Sequence, residues 1–273
     1  MKRRSLGLMV GLVAALVGCG DAQELASQTF APRTEGVLVV ATTLPAAGFW
    51  EGADVDSLDG GFEWALATEL ADRLGLELRV IDVPFIQIVS GDLGDADIAI
   101  AQISITRSRA ERVDFSEPYY TTDAGVLAAA GTDMTDLETA RDAVWVVVEG
   151  TTEADVVADE VRPGADVVVV ADEAQAAAAV LDGRAEAALI DLPSALVIAD
   201  GDDQLAVVAK IATEEQYAVA LTNSTPDRLR NRDVVDAALR AFESDGTLSD
   251  LSDRWLSPRF ATDPADVPLI RIR

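Results

Sequence analysis

The sequence predicts an α/β protein of two similar lobes, each built on a mainly parallel sheet, joined by a hinge that the chain crosses twice. Three observations support this class. From Val37 onward, short apolar runs typical of strands alternate with amphipathic segments typical of helices. The alternation restarts near Thr135, which indicates a second α/β unit. A strand and two helices then follow residue 216, and they complete the first lobe if the chain crosses back to it.

The first lobe begins with a strand and an amphipathic helix. The run VLVVAT (37–42) is continuous and apolar, as expected of a strand buried on both faces. In the segment 62–75, large apolar residues recur every four positions on one helical face, and Gly75 is placed to end the helix. The runs LELRVID (76–82) and DIAIA (97–101) predict the next two strands.

The second lobe repeats this order of elements. Its predicted elements are a helix at 135–142, a strand at 143–148, a helix from Thr151, a strand at 166–170, a helix at 172–182 and a strand at 185–190. After it, the sequence predicts a strand at 216–221 and helices at 226–243 and 247–256. The two lobes therefore share one pattern, and their strands should direct their carboxyl ends toward a common cleft, where ligands of open α/β sheets bind.

These elements define the predicted domain organisation. The expected segments are a signal peptide at 1–18, a tether at 19–36, lobe 1 at 37–121 plus 217–256, lobe 2 at 122–216, and a C-terminal tail at 257–273. We expect the hinge crossings near 120–124 and 213–218, each between one finished α/β run and the start of the next.

The charge and the composition exclude several classes of function. The chain has 273 residues and a formal net charge of −27, so nucleic acid and anionic membrane surfaces would be repelled. It contains no histidine and one cysteine, which excludes histidine-dependent catalytic triads, His/Cys zinc sites and disulfides. A calcium site built from carboxylates, or acid–base chemistry by carboxyl groups, remains open. We expect no cofactor and no bound metal.

The amino-terminal segment resembles the signal of a bacterial lipoprotein. Three basic residues at 2–4 precede a short apolar core, and Leu16-Val17-Gly18 leads to Cys19. A transmembrane anchor is the alternative, but the apolar run falls short of the roughly 20 residues that span a bilayer. We therefore predict that Cys19 is lipidated and that it holds the protein at the outer face of the cell membrane, with no other membrane contact.

A cluster of arginines stands out in this acidic chain. The stretch ISITRSRAERVDFSEPYY (103–120) contains Arg107, Arg109 and Arg112. Such residues commonly serve as solvated counter-charges for neighbouring acids. A guanidinium can also bind a carboxylate through two parallel hydrogen bonds, so one of them could bind an anionic group.

Several motifs occur together in a characteristic order. They are Gly61-Phe62-Glu63, SITRSRA (104–110), VDFSEPYY (113–120), Gly150-Thr151-Thr152, GRAEAA (183–188) with Asp191, and DGTL (245–248) with Trp255. Together they resemble the family 3 extracellular solute-binding proteins, the polar amino-acid receptors of ABC importers. The resemblance covers residues 37–256 and implies the two-lobe, type II periplasmic-binding-protein-like fold.

The resemblance assigns the ligand carboxylate to one arginine. The family motif places its carboxylate-binding arginine at Arg109, and a planar guanidinium suits that role. Arg107 and Arg112 do not match that position, so we interpret them as surface charges.

The second lobe is expected to supply two further contacts. Thr151 and Thr152 open a helix, where backbone N–H groups can bind the other side of the carboxylate. Asp191 would accept hydrogen bonds from the ligand ammonium. Helix capping is the alternative role for Thr151 and for Asp191.

The first lobe is expected to add polar and aromatic contacts. Ser104 and the backbone near Gln102 would complete the polar contacts, although the Ser104 hydroxyl could instead satisfy its own backbone. Phe49 and Trp50 lie near the position where many relatives cover the ligand with an aromatic residue. Phe85 is a candidate for the pocket wall, with a place in the core as the alternative.

One departure from the family pattern bears on ligand charge. Relatives that prefer cationic ligands tend to carry an acid near the end of the first strand, whereas Thr42 and Thr43 stand there. On this resemblance alone, lysine, arginine and histidine are disfavoured.

The sequence thus predicts a monomeric, lipid-anchored receptor that captures an amino acid between two lobes and presents it to an ABC permease, and not an enzyme. One alternative is a dehydratase on the same fold, acting on prephenate-like carboxylates; another is a ligand-sensing module. Asp191 favours the receptor, because a ligand ammonium needs a carboxylate partner and prephenate has no amine.

Overall fold

A computed structural model describes residues 29–134, 136–260 and 262–272. The predicted signal peptide, Cys19 and the first part of the tether lie outside the described residues. Across these ranges, every helix is too short or too polar to traverse a bilayer.

The described residues form an α/β structure around a mixed sheet with the strand order β2-β1-β3-β8-β4-β7-β5-β6, and β9 pairs with β8. The strands are β1 (Val37–Thr42), β2 (Glu77–Asp82), β3 (Ile98–Ala99), β4 (Val113–Ala129), β5 (Trp145–Val148), β6 (Val168–Val170), β7 (Ala187–Asp191), β8 (Leu205–Thr222) and β9 (Leu269–Ile270).

The helices flank this sheet and match most of the predicted segments. They are α1 (Phe62–Leu74), α2 (Phe85–Val89), α3 (Arg107–Ala110), α4 (Leu137–Asp142), α5 (Thr152–Val156), α6 (Glu173–Leu181), α7 (Leu192–Gly201), α8 (Arg228–Asp245) and α9 (Thr247–Trp255). Gly75 ends α1 in the left-handed conformation with a φ of 69°, as its position in the sequence predicts.

Parallel pairing occurs within each half of the sheet, as expected. β1 pairs in parallel with β2 and β3, and β5 pairs in parallel with β6 and β7. The longest ladder, however, is antiparallel and joins β4 to β8. These two long strands run through both halves, so the strands of both halves belong to one continuous hydrogen-bonded sheet.

The hinge crossings were predicted near 120–124 and 213–218, between elements. Those positions lie inside the long strands β4 and β8, so a break between elements is not observed there. The ladder is interrupted where Thr122 pairs with Glu215 and Ala124 with Ile211, and Glu214 between them has a φ of 50°. The β4 sequence is polar and contains Pro118, so it lacks the continuous apolar run that marked the other strands.

Separate hydrophobic cores occupy the two halves. Two clusters, one with Phe62 and the other with Ile88, are drawn from residues 30–119 and 217–256. Two others, which include Trp145 and Leu127, are drawn from residues 124–211 with Ile270. This division supports two lobes, while the boundaries at 121/122 and 216/217 stay a prediction.

The C-terminal segment is not a free tail. It leaves α9 in lobe 1 and adds β9 to the lobe 2 part of β8, with Lys210 paired to Leu269 and Ile211 to Ile270. The Lys210 amide donates to Pro268 O at 2.7 Å, and Ile270 is buried in the lobe 2 core. The chain thus makes a third connection between the lobes. The apolar residues near its end suit the strand that makes this connection.

Candidate functional site

A cleft lies where the carboxyl ends of β1, β3, β5, β6 and β7 meet, as expected for open α/β sheets. Of the nine predicted ligand-binding residues, seven line it: Phe85, Gln102, Ser104, Arg109, Thr151, Thr152 and Asp191.

Arg109 is held rigidly in this cleft. Its side chain is buried and donates hydrogen bonds to Ser104 O at 2.9 Å and to Gly150 O at 3.0 Å. The second bond joins the lobes, because Gly150 follows β5. Burial lowers the pKa of Arg109, and the carboxyl groups of Glu153 and Glu215 counteract that effect. The guanidinium stays charged in this setting, since arginine is effectively always protonated.

Arg107 and Arg112 differ from Arg109 in their surroundings. Both are exposed on the surface of the protein. Arg112 donates to Ser108 O at 2.8 Å within its own turn, and neither arginine lines the cleft. Their placement agrees with the interpretation as surface charges.

Phe85 supports the arginine as well as lining the cleft. The Arg109 guanidinium carbon lies 5.4 Å from the centroid of the Phe85 ring, within the range of a cation–π contact. The ring packs against the core of lobe 1 at the start of α2. It therefore fixes one face of the guanidinium.

We expect Phe85→Leu to weaken ligand binding about 2- to 30-fold, because a desolvated cation–π contact contributes roughly 0.5–2 kcal/mol. Phe115→Leu is the matched control, since Phe115 packs on the same cluster but does not line the cleft. Calorimetric titration of both variants checks this. Equal losses in the two variants would show that only packing had been disturbed.

The Gly-Thr-Thr segment turns from β5 into α5. Gly150 has a φ of 80°, which favours glycine. Thr151 caps α5 by accepting from the Ala154 amide at 3.2 Å, and it donates to Val148 O at 2.9 Å. Its hydroxyl therefore serves the helix, which was the alternative role, so a ligand contact would use the backbone. Thr152 Oγ1 donates to Glu215 at 2.7 Å.

Asp191 ends β7 and precedes α7, but its side chain makes no capping hydrogen bond. The capping role is therefore not observed for this residue. Its Oδ1 is buried without a hydrogen-bond partner among the described residues. Burial, together with the charges of Glu215 and Glu173, raises its pKa well above the usual range. Such a carboxylate is suited to a cationic group of a ligand.

Further acids belong to the site and were not predicted, Asp172 among them. Glu153, in the first turn of α5, and Glu173, at the start of α6, line the cleft. Glu215, in the hinge part of β8, accepts hydrogen bonds from Ser104 and Thr152. Glu153 follows the Gly-Thr-Thr motif directly, so that motif could have indicated it. The others are ordinary acids in a sequence rich in them.

Three carboxylates could hold a cation together. Oxygen atoms of Glu153, Asp191 and Glu215 all lie within 4.8 Å of one another. Burial and its two carboxyl neighbours raise the pKa of Glu153 well above the usual range. The trio is chemically suited to an ammonium group or to a hard metal ion.

Glu63 supports the cleft from within lobe 1. It is fully buried and accepts hydrogen bonds from Trp50 Nε1 at 2.7 Å, from the Gln102 amide at 2.7 Å and from the Tyr119 hydroxyl. Burial raises its pKa to about 7 despite these bonds. The bond to Gln102 fixes a residue whose φ is 51°, which is uncommon for a residue with a side chain.

Gln102 and Ser104 both take part in contacts that reach beyond lobe 1. Gln102 Oε1 accepts a hydrogen bond from Ser194 Oγ in lobe 2 at 2.8 Å. The Ser104 hydroxyl donates to Glu215 in the hinge, so it does not merely satisfy its own backbone. Their direct contact with a ligand stays a prediction.

The expectation that Phe49 and Trp50 cover the ligand is corrected. Phe49 is fully buried and packs edge-on against Phe62, with ring centroids 5.9 Å apart. Trp50 is buried and donates to Glu63. Neither lines the cleft, whereas Ala46 does. The loop after β1 folds back on itself, so that the large aromatic residues fill the lobe 1 core.

Comparison with known proteins agrees with this architecture. The family model of bacterial extracellular solute-binding proteins, family 3, matches residues 40–258. The L-cystine-binding protein TcyJ of Escherichia coli strain K12 is 30% identical over 200 residues, which cover 71% of this chain and 73% of that protein.

Solved structures are similar as well. An amino acid ABC transporter substrate-binding protein from Streptococcus pneumoniae, bound to L-arginine, has a TM-score of 0.73 and 29% identity, covering 81% of this chain and 94% of that one. The ancestral amino acid-binding protein AncCDT-1, a precursor of cyclohexadienyl dehydratase, has a TM-score of 0.70 and 28% identity, covering 81% and 96%. Because the family model matches most of the chain and the cleft lies between two lobes of the same fold, the protein belongs to the family 3 bacterial extracellular solute-binding proteins.

Proposed function

We propose that the protein captures a free amino acid between its lobes. The observation that carries this proposal is the pairing, within one cleft, of the buried Arg109 guanidinium and the Asp191 carboxylate, whose Oδ1 atom is buried without a hydrogen-bond partner among the described residues. An amino acid presents a carboxylate and an ammonium, and a desolvated site must satisfy both charges. The relatives described as binding L-cystine and L-arginine support the same class of ligand.

The biological role proposed with it is delivery to an ABC importer. The similar structure from Streptococcus pneumoniae is described as a substrate-binding protein of such a transporter. Membership of an extracellular family and the lipoprotein-like segment ending at Cys19 support a lipid-anchored location outside the cell membrane. On this proposal the protein is a monomeric receptor without enzymatic activity.

Calorimetric titration of the purified protein with the common amino acids and cystine tests the proposal. We expect one-to-one binding of at least one amino acid. The α-amide of that amino acid should lose the contact with Arg109, and its N-acetyl derivative should lose the contact with Asp191, so both should bind far more weakly. Failure of every amino acid to bind would contradict the proposal. So would a blocked derivative that binds as tightly as the free amino acid.

A dehydratase is the second candidate, because one cleft carboxyl has the protonation of a general acid. Burial raises the pKa of Glu173 to about 8, so this group holds a proton near neutral pH. The similar structure described as an ancestral amino acid-binding protein is also described as a precursor of cyclohexadienyl dehydratase, which relates this fold to that enzyme. Consumption of prephenate by the purified protein, lost in Glu173→Gln, would favour the enzyme over the receptor.

A further inference from the structure

The charges of the cleft are not balanced by a neutral amino acid. Glu153, Glu173 and Asp191 line it, and Glu215 has an oxygen within 4.8 Å of two of them. None of these four carboxyl groups forms a salt bridge with any residue that the structure describes. Arg109 is the single basic residue among those that line the cleft. A zwitterion adds one charge of each sign, so it leaves the excess of acids unchanged.

Each of the excess acids keeps one buried oxygen atom that no described residue contacts with a hydrogen bond. Glu153 is 3% exposed and Glu215 is 8% exposed, yet Oε1 of each has no hydrogen-bond partner among the described residues. Glu173 Oε2 is likewise buried and unpartnered. A buried carboxylate oxygen without a donor is costly, so such atoms mark positions where a cationic donor is expected.

The acids fall into two groups. Oxygen atoms of Glu153, Asp191 and Glu215 lie within 4.8 Å of one another, so a single ammonium could bind to all three. Glu173 stands outside this trio at the start of α6. Asp172 beside it is already used, since it caps α6 by accepting from the Gln175 amide at 2.8 Å. Glu173 is thus left to bind a second cationic group.

Building on the proposed function, we propose that the ligand is an amino acid with a cationic side chain. The trio binds its α-ammonium, and Glu173 is the specificity-determining residue that binds its side-chain cation. This inference reverses the expectation drawn from Thr42 and Thr43. The cation-binding acids are supplied by lobe 2 and the hinge, and the end of β1 carries none.

The protonation of the cleft supports this assignment. Burial raises the pKa of Glu173 to about 8 despite a hydrogen bond with Ser194, and the charges of Glu153, Asp172 and Glu63 act in the same direction as burial. Asp191 also interacts with Glu173, while Arg109 is the basic group of the cleft. Without a ligand, a proton therefore takes the place of the missing cation at neutral pH. A cationic side chain would displace that proton.

The test compares arginine and lysine with glutamine and cystine by calorimetry, using the wild type, Glu173→Gln and Glu149→Gln. Glu149 is the matched control, because it is an exposed glutamate close to the cleft that does not line it. We expect Glu173→Gln to weaken binding of the best cationic ligand about 10- to 100-fold, as for loss of a charge-assisted hydrogen bond. Glu149→Gln should change that affinity less than about twofold.

Two further readouts sharpen the test. Binding of the cationic ligand at pH 7, measured in buffers of different ionisation enthalpy, should release about one proton more in the wild type than in Glu173→Gln. Titration with Ca²⁺ alone should show no binding, and added Ca²⁺ should not weaken the binding of the amino acid.

Each outcome decides between the two proposals. If glutamine or cystine binds more tightly than arginine and lysine, or if Glu173→Gln leaves the best cationic ligand unaffected, this inference is overturned while amino-acid capture stands. If Ca²⁺ competes at the trio, the assignment of the α-ammonium is overturned. If no amino acid binds, the proposed function fails and this inference fails with it.

Discussion

Replacing Arg109 with alanine should weaken amino-acid binding by about 2–5 kcal/mol, which is roughly 30- to 5,000-fold in affinity. The guanidinium is buried, and its hydrogen bonds to Ser104 O and Gly150 O hold it at the cleft in a fixed orientation. A ligand carboxylate bound without it would keep its desolvation cost and lose its partner. Calorimetry with the best amino-acid ligand measures the loss, and circular dichroism confirms folding.

The chain supplies its own controls for this prediction. Arg109→Lys should recover only part of the affinity, because an ammonium lacks the planar fork of the guanidinium. Arg107→Ala and Arg112→Ala remove exposed charges and should each change binding by less than about 1 kcal/mol. Similar losses at all three positions would mean that Arg109 acts through the overall charge of the protein.

Replacing Glu63 with alanine should lower the free energy of unfolding by about 3–5 kcal/mol, because several buried donors would lose their acceptor at once. Those donors are Trp50 Nε1, the Gln102 amide and the Tyr119 hydroxyl. Denaturant unfolding of the ligand-free protein measures the effect. Glu69→Ala, which removes an exposed glutamate of the same helix α1, is the control and should cost far less.

The same carboxyl group predicts an unusual pH dependence of stability. Its pKa is about 7 in the folded protein against 4.5 for an ordinary glutamate, so the folded state binds the proton more tightly than the unfolded state. Its contribution to stability is therefore complete below about pH 4.5 and is lost as the pH rises through about 7. We expect wild-type stability to fall between pH 5 and 8, by on the order of 3 kcal/mol from this group. Glu63→Gln should flatten that slope, and an unchanged slope would contradict the assignment.

Apolar runs and helical periodicity predicted most of the fold correctly. Continuous apolar strands such as 37–42 and the four-residue repeat in 62–75 are local signals, and the structure contains both elements. β4 and the first half of β8 were missed. Their residues alternate between lobe core, hinge and surface, so no single period describes them. The third connection through β9 depends on a distant partner, which a local pattern does not reveal.

The site was predictable only where a motif indicated it. Arg109, Asp191 and the Gly-Thr-Thr turn follow strands whose ends meet, so their convergence follows from the fold class. Glu173 and Glu215 become distinctive only because each has a buried oxygen atom without a hydrogen-bond partner among the described residues, which is a property of the folded protein. The prediction that Phe49 and Trp50 cover the ligand was wrong for a similar reason. The sequence of a loop does not show which way the loop turns in the folded protein.

The pairing of β9 with β8 also guards the protein against aggregation. In lobe 2, β8 binds β4 along one side, and without β9 its other side would be an open sheet edge at Lys210 and Ile211. Open edges present unpaired N–H and C=O groups on which strands of other molecules can assemble. A two-residue strand closes this edge and buries Ile270, which would otherwise be an exposed apolar contact on the same surface. The segment that links the lobes thus removes one place at which strands of other copies could assemble.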